Sequence, residues 1–266
     1  MSDEETQRRW EVAGRGWGAR AVDWAYLFEP YARSANDLLL DRLEVRSGAR
    51  LLDVACGSGL AAQVASRRGA VVSGLDAAEG LIAIARSRTP GGDFRVADMF
   101  AMPFADDSFD VVTTFNGIWK GCEGALSEVR RVLLDGGRFG MTFWGSYERL
   151  GLMPYFMKLI ELSPPSHGAA TMDHGETGRP GVVEHMLEAT GFKILERGTV
   201  ECVNEWPDVA TAVRALAAAG PSVPPIEAIG YEAFCDALTE VVAPLADPDV
   251  GVRISSEFGW VTSEAA

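Results

Sequence analysis

The chain has 266 residues, 47% of them apolar, and carries 24 Lys and Arg against 38 Asp and Glu for a formal net charge of −14. That length and apolar content suffice for a full core in one domain with additions, and no uninterrupted apolar run approaches the roughly 18 residues of a membrane span. The charge argues against nucleic-acid partners, because phosphate has to be neutralised by Lys and Arg, and neither a basic stripe nor an aromatic platform between basic residues is present.

Residues 1 to 48 begin with an acidic, polar Met1-Ser-Asp-Glu-Glu-Thr, unlike a secretory signal, and then alternate aromatic and polar positions: Trp10, Trp17, Trp24, Tyr26, Phe28 and Tyr31. Helices leading to a strand at Ala49 are expected, with Trp24, Leu27, Phe28 and Tyr31 along one face. Next comes Leu51-Leu-Asp-Val-Ala-Cys-Gly-Ser-Gly59, a short apolar run that drops into a glycine loop already holding a carboxylate, Asp53. Gly57, Gly59 and Ala62 satisfy G-x-G-x-x-[GA], and Asp76 follows at the spacing of a ribose-binding acid, so on the glycines alone an NAD site stays open. Asp53 decides against it. A dinucleotide loop attracts pyrophosphate through backbone N–H groups and the helix dipole, and an acid there repels phosphate. S-adenosylmethionine has no phosphate, and its methionine end presents an ammonium and a sulfonium that a carboxylate stabilises.

Leu60 to Arg68 reads as a helix and Ala70 to Leu75 as a buried strand ending at Asp76, an acid able to accept both ribose hydroxyls. A helix over Glu79 to Ser87 is followed by Asp93-Phe-Arg-Val-Ala, which ends at Asp98-Met99; the carboxylate can accept an adenine amino group and Met99 can flank the ring, although a short Asp also serves as a cap or turn residue. Then come Pro103-Phe-Ala-Asp-Asp-Ser-Phe-Asp-Val-Val112, Ala125-Leu-Ser-Glu-Val-Arg-Arg-Val-Leu133 and Leu134-Asp-Gly-Gly-Arg-Phe139.

Through residues 49 to 144 this ordered set resembles the class I S-adenosylmethionine-dependent methyltransferases, in particular the group similar to the quinone-biosynthesis methyltransferases. Asp135 stands where that family usually has proline. The resemblance implies an α/β fold, a doubly wound Rossmann-like sheet of seven strands, with N-terminal helices and a helical lid insertion. It implies a methionine end held by Asp53, Ala55, Gly57 and Gly59, a ribose by Asp76 and Ala77, an adenine by Asp98 and Met99, and Asn116 and Gly117 bordering the transferable methyl. The family's N-terminal segment commonly closes over the cofactor, which offers Trp24 and Tyr31 as lining for the transfer cavity; packing of that face onto the domain is compatible with the same role. The Asn-Pro-Pro-Tyr type motif of nucleic-acid and glutamine methyltransferases is missing, and Asn116 stands where metal-dependent catechol-type enzymes place a carboxylate, so no metal is expected.

Beyond Trp144, two glycine-and-proline breaks, Ser163-Pro-Pro-Ser-His-Gly and Asp173-His-Gly-Glu-Thr-Gly-Arg-Pro, surround an apolar helix from Leu150 to Leu162. Pro180 to Thr190 reads as a helix closed by Gly191. Phe192 to Asn204 reads as a long strand with Gly251 to Thr262 as its antiparallel partner, and helices near 207 to 219 and 226 to 243 between them either cover the site or form a dimer contact. The organisation expected is a cap over 1–48, a cofactor-binding core over 49–144, a lid over 145–191 and C-terminal strands with a helical insertion over 192–266. Four cysteines, at 56, 122, 202 and 235, form no C-x-x-C pair and no zinc set, which suits reduced thiols in the cytoplasm. The three histidines are His167, His174 and His185; a base is needed only for an acceptor that arrives protonated, and His174 in the lid is the candidate. The function expected is methyl transfer from S-adenosylmethionine to a small, apolar or aromatic acceptor. The alternatives are a non-catalytic S-adenosylmethionine-binding protein or an NAD-dependent oxidoreductase, the latter lacking a Tyr-x-x-x-Lys pair.

Overall fold

A computed structural model describes residues 3–164 and 176–265. Helix α1 (Asp3–Gly18) leads through a short turn, Ala21–Asp23, into a single π-turn over Trp24–Phe28 and a 3₁₀ turn over Glu29–Ala32, before α2 (Arg33–Arg42). The expected straight helical face is therefore broken, and Pro30, which lacks an N–H, sits where the winding tightens. The aromatic contacts survive the change: Trp24 stacks on Phe28 at 4.8 Å between ring centroids, and Phe28 meets Tyr31 edge-on at 5.2 Å.

The sheet follows. Strands β1 (Arg50–Val54), β2 (Val71–Asp76), β3 (Asp93–Val96), β4 (Phe109–Phe115) and β5 (Leu133–Trp144) are parallel, and β8 (Gly251–Ala265) and β6 (Phe192–Trp206) complete the sheet as antiparallel strands in the order β3-β2-β1-β4-β5-β8-β6. A two-residue β7 (Ala246–Asp247) pairs with β8, one strand beyond the expected seven. Parallel strands bury both faces, and the consecutive leucines of β1 show it. Leu51 packs with Val72, Phe94, Val111 and Trp260 on the side of α2, α3 (Leu60–Arg67) and α4 (Glu79–Arg88). Leu52 packs with Val112, Phe139, Met141 and Val261 on the side of α5 (Glu123–Val132) and α7 (Val182–Glu188), the latter carrying His185.

Strand order reverses between β1 and β4, and in open α/β sheets the crevice at such a switch point, outside the carboxyl ends of the strands, is where ligands bind. Two further features shape that crevice. The β6–β8 ladder continues from Phe258 to Val252, past the last β5 partner at Trp144, so its outer half stands as a wall beyond the sheet edge. Against this wall pack α6 (Met153–Leu162), α8 (Val209–Leu216), α9 (Val223–Ile229) and α10 (Tyr231–Val242). The expected single helix over 226–243 is two helices, because Gly230 adopts φ +88° between them, backbone that interrupts a right-handed helix and that glycine tolerates. Helix α6 starts at Met153 rather than Leu150, which instead bridges to Ser256 of β8. The helices of residues 209–242 lie against the cap: Asp23 pairs with Arg214 at 2.5 Å, the Arg20 guanidinium sits 3.6 Å over the Tyr231 ring, and Trp206 Nε1 donates to the Leu27 carbonyl at 2.6 Å.

Candidate active site

The glycine loop is set by backbone conformations that few side chains tolerate. Ala55, Gly57 and Gly59 have φ of +54°, +55° and +76°, and across the switch point Asn116 has φ +55°. Strain of this kind in non-glycine residues gathers at functional sites, and here Ala55 and Asn116 follow the carboxyl ends of β1 and β4. Gly117 lies between them; a Cβ there would come within 2.5 Å of Ala55 Cβ.

Asp53 is buried at 1% exposure, and Thr113, its register partner on β4, donates to Asp53 Oδ1 at 2.9 Å. Burial lifts its carboxyl to about 8 from an ordinary 3.8; the Thr113 bond opposes this, and the charges of Glu29 and Asp76 add to it. Asp76 closes the loop from β2: its two oxygens accept the Gly57 N–H at 2.9 Å and the Ala78 N–H at 2.8 Å. Burial raises this carboxyl too, against the lowering effect of those N–H groups.

A third buried carboxylate comes from the cap. Glu29 accepts the Ser58 N–H at 3.1 Å and the Ser58 hydroxyl, and Arg88 at the end of α4 lies 2.5 Å from it while donating to the Ala25 carbonyl at 2.8 Å. Burial raises its carboxyl, with Arg88 and Ser58 opposing. A Cβ on Gly57 would sit 3.0 Å from Glu29 Oε1 and 3.8 Å from Trp24 Nε1, so the cap rests directly on the loop. Neither Glu29, Arg88, Ser58 nor Thr113 stands out in the sequence. Glu29 and Arg88 are 59 positions apart, and no periodicity or motif links them.

Toward β4 and β5 the polar groups give way to rings. Asn116 Nδ2 donates to the Tyr31 hydroxyl at 3.1 Å, and Thr142 Oγ1 donates to Asn116 Oδ1 at 3.2 Å. Tyr31 stacks with Trp144 at 6.2 Å, and Phe258 lies 5.4 Å from Tyr31 and 4.5 Å from Trp144. Beside Trp144 lies a cavity of about 10 Å³, lined by Asn116, Ile118, Trp119, Phe143 and Trp144, room for about one water. On the opposite side, an open cleft of about 420 Å³ runs from Trp10, Gly14 and Arg15 of α1 to Ala77, Glu79 and Val96 at the ends of β2 and β3.

The structure thus gathers Asp53, Ala55, Gly57, Gly59, Asp76, Asn116, Gly117, Trp24 and Tyr31 around one crevice, and Ala77 into the adjoining cleft. Asp98 is engaged locally, its Oδ1 accepting the Phe100 N–H at 2.9 Å as in an Asp-stabilised turn. Met99 packs against the core cluster of β1, β4 and β5. His167 and His174 lie outside the described residues.

Comparison with known proteins agrees with this geometry. Residues 52–141 match a family described as "Methyltransferase domain". The demethylmenaquinone methyltransferase of Thermus thermophilus is 30% identical over 185 residues, 62% of this chain and 81% of that protein. That of Renibacterium salmoninarum is 38% identical over 103 residues, 38% of this chain and 44% of its own length. The chain covers 41% to 62% of the length of this and two further demethylmenaquinone methyltransferases. The YcgJ protein of Bacillus subtilis shares the fold, with a TM-score of 0.57 at 17% identity over 87% of this chain and 98% of that one. With the switch-point crevice and its acidic glycine loop in place, the chain belongs to the class I S-adenosylmethionine-dependent methyltransferases of the quinone-biosynthesis type.

Proposed function

We propose that the protein transfers a methyl group from S-adenosylmethionine to a small, neutral, apolar or aromatic acceptor. The observation that carries this reading is electrostatic: three buried carboxylates, Asp53, Asp76 and Glu29, surround the glycine loop with one guanidinium, Arg88, among them. A cationic ligand draws the protons off these carboxyls and is stabilised by the charge they gain, whereas a pyrophosphate gains nothing from them. When bound, S-adenosylmethionine supplies a methyl on a sulfonium, open to in-line displacement by the acceptor.

The chain's own residues divide the work. Asp53 and the backbone of Ala55, Gly57 and Gly59 hold the methionine end, and Asp76, already anchored by two N–H groups, offers its remaining lone pairs to the ribose. Ala77 adjoins Asp76 at the proposed ribose site, and Asp98 and Met99 are the proposed adenine contacts. Asn116, oriented by Tyr31 and Thr142, and Gly117 border the methyl. Trp24 and Tyr31 exclude water from it, and residues 1–48 and 145–191 serve as cap and lid. Displacement at a sulfonium disperses charge, so alignment of nucleophile and methyl supplies most of the rate; well-oriented geometry is worth about 7–11 kcal/mol. Where the acceptor arrives protonated, His174 is the proposed base. The cavity beside Asn116 and Trp144 has space for about one water, so an acceptor that reaches Asn116 displaces side chains that line it. The aromatic character of Tyr31, Trp144 and Phe258 supports an apolar acceptor, and the demethylmenaquinone methyltransferases among the relatives point the same way. Four free cysteines, three of them buried, suit a reducing cytoplasm.

The test is calorimetry with S-adenosylmethionine, S-adenosylhomocysteine and NAD on protein cleared of carried-over ligand. Micromolar binding of the first two and none of NAD is expected; binding of NAD alone overturns the assignment. Transfer of label from methyl-labelled S-adenosylmethionine to a quinol acceptor separates an enzyme from a binding protein.

A further inference from the structure

The outer half of the β6–β8 wall carries a polar pair with no partner. Asn204 is 3% exposed and Ser256 1% exposed, yet neither the nitrogen nor the oxygen of the Asn204 carboxamide, nor the Ser256 hydroxyl, has a hydrogen bond among the described residues. Strand alternation fixes where they point. Ser256 pairs with Cys202 and Asn204 with Ile254, so both side chains share the face of Cys202, Trp206, Ile254 and Phe258, all members of the cluster that also holds Tyr31, Tyr155 and Phe156. The exposed charged residues of the two strands, Glu201, Glu205 and Arg253, alternate away from that face. Ser256 is the next residue on this face after Phe258, whose ring touches Tyr31, and Tyr31 bonds Asn116. A chain of contacts within one buried cluster therefore runs from Asn116, through Tyr31 and Phe258, to the face that carries the orphaned amide and hydroxyl.

Buried polar groups are nearly always paired, and an unpaired one calls for a specific explanation. Diagonal neighbours on one sheet face lie about 7–8 Å apart, close enough for one ligand to reach both Asn204 and Ser256. We propose that these two residues anchor the distal end of the acceptor, binding a neutral hydroxyl or carbonyl oxygen on an otherwise apolar body while Asn116 and Tyr31 border the atom that is methylated. The inference rests on the methyltransferase reading above and specifies its substrate class. An amide and a hydroxyl both donate and accept, so either oxygen function is bound, while an ionised carboxylate is rejected because this face supplies no cation among the described residues.

The experiment measures binding of three probes, naphthalene, 1-naphthol and 1-naphthoate, to the full chain saturated with S-adenosylhomocysteine. The wild type is expected to bind 1-naphthol at least about tenfold more tightly than either other probe, the range of one or two well-made hydrogen bonds. Asn204→Leu, which replaces the orphaned amide with an apolar group of similar volume, is expected to retain naphthalene and S-adenosylhomocysteine binding, to raise Tm, and to lose the preference for the naphthol. Ser256→Ala provides a second, smaller change with the same expected pattern. Equal binding of naphthol and naphthalene by the wild type, failure of all three probes to bind, or a preference undiminished in both variants overturns the proposal. Calorimetry of S-adenosylhomocysteine on the same samples keeps the two readings apart: if it does not bind, the cofactor assignment fails; if it binds and the probe pattern is absent, the acceptor anchor alone fails.

Discussion

At the β1 and β2 end of the crevice, Asp53, Asp76 and Glu29 are buried and each accepts a hydrogen bond, from Thr113, from the Gly57 and Ala78 N–H groups, and from Ser58 and Arg88. At the β5, β8 and β6 end, Tyr31, Trp144, Phe156 and Phe258 form an aromatic wall, and Asn204 and Ser256 of the same buried sheet face are without hydrogen-bond partners among the described residues. The same carboxyl edge of one sheet is thus built in two ways. Recognition of a cation needs carboxyls oriented beforehand that ionise as the ligand arrives, because burial raises all three above the ordinary carboxylate range despite their hydrogen bonds. Recognition of an apolar body needs area and shape, and the rings provide both.

The largest break in this contrast comes from removing Arg88, the cation paired with Glu29. Arg88→Met leaves Glu29 buried without its charge partner and is expected to cost about 3–5 kcal/mol of folding stability by denaturant titration; adding Glu29→Gln is expected to restore part of it. Next, Asp76→Ala is expected to weaken S-adenosylmethionine binding tens-fold or more by calorimetry, the scale of a charge-assisted hydrogen bond worth about 1.5–3 kcal/mol, while leaving naphthalene binding at the other end intact. Unchanged cofactor affinity would refute the ribose assignment.

A smaller and more diagnostic effect is the response to pH. Burial raises the Asp53 carboxyl to about 8 from 3.8, and Asp76 and Glu29 shift in the same direction. The folded chain then holds protons that the unfolded chain has released, so this contribution to stability is full below the ordinary carboxylate range and is lost as pH rises through about 8. Affinity for the cationic cofactor moves oppositely, rising over the same interval by up to about tenfold per pH unit for each proton released. Asp53→Asn is expected to flatten both curves, a result read from Tm and calorimetry across that range. The smallest effect sits on the border between the two ends. Tyr31→Phe removes one hydrogen bond to Asn116 and is expected to lower kcat/KM by an amount equivalent to about 0.5–1.5 kcal/mol, with cofactor affinity unchanged.

The sequence by itself determined the acidic glycine loop, the acid ending β2 and the parallel core, because each is a local event: an apolar run, a turn that only small residues tolerate, and a carboxylate at a strand end, all within a few positions of one another. It also placed the long antiparallel pair of strands within a few residues of its observed ends. Only the tertiary structure decided the rest. Glu29 and Arg88 meet across 59 positions, and the π- and 3₁₀ turns of Trp24–Ala32 replace a helix without losing its aromatic contacts. Which helices cover the outer half of the β6–β8 ladder, and that Asn204 and Ser256 lie buried there without partners among the described residues, is set by packing between distant segments. Local backbone chemistry is written in neighbouring residues; the pairing of buried charges and the orientation of unpaired polar groups depend on which distant surfaces exclude water together.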